Sequence, residues 1–172
     1  MTTSLTLLAG MDHDDSKTRP AAIAYAESLP ADQRNTLDLA KSYIPPVSPD
    51  FLPGQNDVSV QLLNMLEAAD TLIIAAPVYN FGIPASLKLW IDQIVVAGRT
   101  FDPNTYQGLL NPATKVTVFA ASGGSDPLTL PGYGPYLLQI LGLIGFTDIT
   151  ITVLREAETH PEEIQPTDEN LC

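Results

Sequence analysis

Three short clusters in this chain carry residue types able to hold a ligand. The first is Val78-Tyr79-Asn80-Phe81, which follows the apolar run 71–76 and Pro77. Proline has no N–H to donate, so the ladder is expected to stop at Pro77 and present the next four residues in a turn. Two aromatic faces beside freed backbone donors suit a flat, heteroatom-rich ring, and the Asn80 amide offers both donor and acceptor. The plainer alternative is a proline turn whose Tyr79 and Phe81 belong to the core. The second cluster, Ser16-Lys17-Thr18, runs into a helix whose positive end and free N–H groups favour an anion. Its alternative is that the two hydroxyls merely cap that helix. The third, Ser122-Gly123-Gly124, lets backbone approach a ligand closely, or is simply a flexible turn. Phe101 and Tyr106 form an aromatic pair that either lines a pocket or packs locally. No side chain among these is obliged to act as acid or base, so no catalytic residue is assigned.

The elements that would position these clusters follow from hydropathy. Residues 4–9, 71–76, 115–121 and 149–154 read as strands, with a weaker one at 36–39. Helices are expected from about Pro20 to Leu29, Asp57 to Ala69, Pro84 to Ala97 and Tyr136 to Ile144. In the third helix Leu87, Ile91 and Val95 form a stripe, with Ile94 beside it and Trp90 expected in the core or at a dimer contact. The proline-rich span from Pro45 to Gly54 reads as a long loop. Strands alternating with helices imply a doubly wound α/β sheet, and ligands of such sheets bind beyond the carboxyl ends of the strands. In the last strand Ile149, Ile151 and Val153 alternate with Thr150 and Thr152, the pattern of one face toward water.

Composition narrows the classes. At 172 residues, 45% of them hydrophobic, the chain is expected to form one domain, with residues 1–158 as its body. Residues 159–172 carry two prolines and several acids and read as an extended tail. The net charge of −12 argues against nucleic acid. No apolar run reaches membrane-spanning length and no amino-terminal signal stands out, so a cytoplasmic location is expected. A single cysteine, Cys172, excludes a disulfide framework, and with only His13 and His160 beside it no metal site is expected.

The segment 77–84, with Ile83 through Asp92, Ala97-Gly98-Arg99-Thr100-Phe101, Ser122-Gly123-Gly124 and the run from Gly134 to Asp148, resembles the flavodoxin-like NAD(P)H quinone reductases and FMN-dependent azoreductases. The likeness is strong over roughly residues 60–155 and holds only in outline before that. It implies a five-stranded parallel sheet of order 2-1-3-4-5. FMN would have its ring on Pro77, Val78, Tyr79, Asn80 and Phe81, its phosphate at Ser16, Lys17 and Thr18, and its pyrimidine end at Ser122, Gly123 and Gly124. It further implies NADH or NADPH as hydride donor, a quinone or azo compound as acceptor, ping-pong turnover, and a homodimer in which Phe101 and Tyr106 help form the substrate pocket.

Two features depart from that pattern. A final helix is expected after the fifth strand, where this sequence is rich in proline and acid. Asp12, Asp14 and Asp15 also outnumber Lys17 and Arg19 in the first loop. Like unit charges ~6 Å apart cost about 0.7 kcal/mol in water and roughly 3 kcal/mol at an effective dielectric of 20, and a phosphate dianion doubles both. These features keep open a flavin-free relative of the same fold. A flavodoxin-type electron carrier is a further alternative.

Overall fold

The computed structural model describes residues 1–155. Its elements are β1 (Thr3–Leu8), α1 (Thr18–Ser28), β2 (Gln33–Asp38), α2 (Asp57–Glu67), β3 (Thr71–Pro77), α3 (Ala85–Ile94), β4 (Lys115–Ala121), α4 (Gly134–Leu143) and β5 (Asp148–Val153). All strand pairs are parallel, in the order β2-β1-β3-β4-β5. This is the doubly wound sheet expected from the alternation. The 159–172 tail, the boundary at 158, the question of a final helix, His160 and Cys172 all lie outside the described residues.

The period-2 geometry of strands sorts the core into two layers. Leu5, Leu7, Leu72, Ile74, Val116 and Val118 face α2, α3 and α4 together with Leu63, Leu87, Trp90 and Leu137. Leu8, Ile73, Ala75 and Phe119 face the other way, onto Ala22 and Ala26 of α1. Trp90 is fully buried, so it is core and not a surface open to a second subunit. In β5, Ile149 and Ile151 pack on the first layer while Thr150 is exposed, as the alternation requires.

Several boundaries differ from expectation for identifiable reasons. β2 begins three residues earlier, at Gln33, because its polar start pairs with Thr3 and Ser4 along an exposed edge. α3 stops at Ile94, well short of Ala97. Beyond it the Thr100 hydroxyl donates to the Ile94 carbonyl and accepts from Val96 N–H, replacing the next helical turn. Pro77 remains in β3, in register with Ala121, and Val78 N–H still reaches the Ala121 carbonyl. The missing donor is felt on the other side. Ala9 N–H bonds to the Ala75 carbonyl, and in a parallel ladder the Ala9 carbonyl would next accept from residue 77. The Ser86 hydroxyl supplies that bond instead, at 2.8 Å.

Candidate functional site

At the carboxyl ends of β1, β3, β4 and β5 the loops enclose a cleft of about 660 Å³. Ser16, Lys17, Thr18, Pro77, Val78, Tyr79, Ser122, Gly123 and Gly124 all line it. A shallower recess of about 390 Å³ adjoins it, lined by Asn80 and Phe81 and sharing Val78, Ser122, Gly123 and Gly124. The three clusters picked out in sequence therefore meet at one end of the sheet. Phe101 and Tyr106 do not join them. Their rings stack on each other with centroids 6.2 Å apart, outside both hollows, and Tyr106 is 70% exposed.

The amino-terminal loop is shaped by a close approach. A Cβ on Gly10 would sit 2.7 Å from Pro77 Cγ and 3.6 Å from Thr18 Oγ1, so only glycine lets β1 turn beneath the cleft here. α1 then starts at Thr18 with Lys17 in the cap position and no side-chain capping bond. Thr18 is the first residue of the helix and its hydroxyl does not cap it. Thr18 is 1% exposed and its Oγ1 is buried without any hydrogen-bond partner. A buried hydroxyl left unpaired carries a desolvation penalty of about 1–3 kcal/mol, which an acceptor in the cleft would relieve.

The turn after β3 is a tight two-residue hairpin. Tyr79 N–H bonds the Gly82 carbonyl at 3.0 Å and Gly82 N–H returns to Tyr79 at 2.9 Å. Asn80 and Phe81 both adopt positive φ, 48° and 62°, a conformation that a bulky residue such as Phe81 adopts only under strain. The turn is braced from behind by Gly132, whose carbonyl accepts from Ile83 N–H. Fully buried Tyr133 donates its hydroxyl to the Ala76 carbonyl, and burial pushes that hydroxyl's pKa up, which keeps it protonated. Val78 and Tyr79 N–H are thus committed within the protein. The donors that the turn leaves open are those of Asn80 and Phe81, together with the Asn80 side chain. Phe81 is 70% exposed, so it is not core. Tyr79 is half-buried, and its hydroxyl accepts from Met11 N–H at 3.1 Å, tying the turn to the first loop.

Sequence reasoning missed two contributors. Arg19 is 7% exposed and donates to the Gly10 carbonyl and to both oxygens of Asp38. That pairing holds Asp38 below the usual carboxylate range and raises Arg19 further. Nothing in a Thr-Arg-Pro-Ala run marks an arginine as buried. Arg155, two residues beyond the end of β5, also lines the cleft. Of the first-loop acids, Asp15 lines the cleft and Asp12 and Asp14 do not. Among the described residues, Lys17 and Arg155 share that lining with Asp15 and Asp126, two cations with two carboxylates. Among the described residues no group of His, Cys, Asp and Glu could hold a metal. None of their helices is long and apolar enough to cross a membrane.

Comparison with known proteins agrees with this fold. The model of the flavodoxin-like fold family matches residues 2–171. A relative from Trichormus variabilis, FMN-dependent NADH:quinone oxidoreductase 2, is 36% identical over 148 residues, covering 74% of this chain and 72% of its own. One from Nostoc sp., FMN-dependent NADH:quinone oxidoreductase, is 44% identical over 101 residues, 55% of this chain and 49% of its own. The chain thus spans about half the length of several relatives it matches. Among solved structures, azoreductase AzrA superposes with a TM-score of 0.74 at 26% identity, covering 88% of this chain and 86% of its own.

Proposed function

The chain belongs to the flavodoxin-like family that includes the FMN-dependent NADH:quinone oxidoreductases, and from that premise we propose that it is an FMN-dependent oxidoreductase that passes a hydride from NADH to a quinone or an azo compound. The observation that carries the proposal is Thr18. Its hydroxyl is buried and unpartnered in a residue that lines the cleft beside Tyr79, and Asn80 and Phe81 of the same aromatic turn line the adjoining recess. Thr18, with Ser16 and the Lys17 ammonium, would hold the phosphate at the amino end of α1, where the helix dipole favours an anion. Gly10 lets the loop before α1 pass close against Pro77, where a Cβ would clash.

Pro77, Val78 and Tyr79 would form the wall against one face of the ring, with Asn80 and Phe81 presenting N–H donors to its polar edge. The backbone at Ser122, Gly123 and Gly124 is open around both glycines and would admit the other end of the ring. The chemistry that FMN supplies when bound is acceptance of a hydride and its release to a second molecule. The residues of the chain bind and orient, and solvent provides protons. A single slot beside Tyr79 and Phe81 would serve donor and acceptor in turn, which makes turnover ping-pong. Phe101 and Tyr106 line neither hollow of their own chain, so a part in the substrate pocket requires a second copy. The homodimer belongs to the same proposal.

The assay is NADH oxidation by the FMN-incubated protein with benzoquinone as acceptor. The proposal expects oxidation that needs both FMN and quinone, with parallel double-reciprocal lines. No oxidation at saturating FMN would contradict it.

A further inference from the structure

The acidic first loop raises the question of how a dianion is tolerated beside it, and the side chains around Asp12 bear on the answer. The Asp12 carboxylate lies 2.5 Å from Lys41 Nζ and 3.6 Å from Arg19 Nε. Both cations are shared with Asp38, which takes Arg19 through two bonds and stands 3.6 Å from Lys41. The cluster therefore alternates in sign, Lys41 and Arg19 against Asp12 and Asp38, where the carboxyl ends of β1 and β2 meet the start of α1. Arg19 also binds the Gly10 carbonyl, which fixes the loop's first residue to the same cluster. Asp12 contributes nothing to the cleft wall, although the adjacent His13 and nearby Asp15 do. Its pKa is held below the usual carboxylate range, first by the Lys41 hydrogen bond and then by Arg19.

Resting on the FMN reading above, we propose that Lys41 and Arg19 are positioning residues that turn the Asp12 carboxylate away from the phosphate cradle and neutralise it. Lys41 is the informative member. It lies on a different element from the cradle, its side chain is 62% exposed, and its replacement leaves the core untouched. Freed from Lys41, Asp12 is only four positions from Ser16 and can swing toward the phosphate, whose repulsion from a carboxylate is a matter of ordinary screened electrostatics.

The experiment is a double-mutant cycle read by quenching of flavin fluorescence. FMN and riboflavin are titrated into the unmodified protein, Lys41→Gln, Asp12→Asn and the double variant. The expected result is an FMN Kd about three- to tenfold weaker for Lys41→Gln. The double variant should match Asp12→Asn, and riboflavin, which lacks the phosphate, should be unaffected throughout. An unchanged Kd in Lys41→Gln overturns the proposal. So does equal weakening in the Asp12→Asn background, which would mean that Lys41 attracts the phosphate directly. Parallel loss of riboflavin binding also overturns it, by showing a general structural role. No quenching of FMN by the unmodified protein would remove the FMN site itself, whereas quenching with a flat cycle removes this inference alone.

Discussion

The hydroxyl of Thr18 costs the free protein stability, because it is buried in the first turn of α1 and bonds to nothing. Replacing it by the near-isosteric valine separates binding from folding. Thr18→Val should leave the melting temperature of the FMN-free protein unchanged or higher. It should also weaken FMN about ten- to hundredfold, the loss expected for one hydrogen bond to a charged group. A melting curve and a quenching titration on the same sample decide it; equal FMN affinity in the variant would remove Thr18 from the site. At this scale the sequence was legible where residue types announce chemistry. Ser16 with Thr18 and the Tyr79-Asn80-Phe81 turn could be named before any coordinates. It was silent on Arg19, since burial of a guanidinium depends on Asp38 and Gly10, which only the folded β1–α1–β2 unit brings together. Phe101 and Tyr106 line neither hollow of their own chain, and aromatic type alone cannot say which pocket a ring faces.

Elements were legible in proportion to how far their burial shows in hydropathy. β4 was located to the residue because Val116, Val118, Phe119 and Ala120 are buried, as the inner strand of a parallel sheet requires. β2 is an edge with no fully buried residue, and its start at Gln33 carries no apolar signal. The junction of β3 with the site shows a finer dependence. Pro77 shapes the turn at the cost of a ladder bond, and Ser86 from the first turn of α3 restores it to the Ala9 carbonyl. Ser86→Ala should therefore lower unfolding stability by about 1–3 kcal/mol in urea titrations, the cost of a buried acceptor left unpaired. Since Ala9 leads directly into Gly10, FMN affinity should fall with it. A variant as stable as the parent would show that the Ala9 carbonyl finds another donor.

For the molecule as a whole, strand-helix alternation specified the class of sheet but not its order, which came from resemblance and is seen in the β2-β1-β3-β4-β5 register. The net charge of −12 was equally ambiguous. Total charge sets the long-range field, while ligand binding answers to the few charges at the cleft, where Lys17, Arg155, Asp15 and Asp126 are the charged groups among the described residues. Only the fold shows that Asp12 is held elsewhere. The central claim is that the end of this sheet, from Gly10 through Thr18, Tyr79 and Gly124, is an FMN site. Its most direct test is the visible absorption spectrum of the purified protein after incubation with excess FMN and desalting. The account predicts flavin bands retained at close to one FMN per chain. A colourless protein after desalting, with no quenching of FMN fluorescence in a titration, would contradict it.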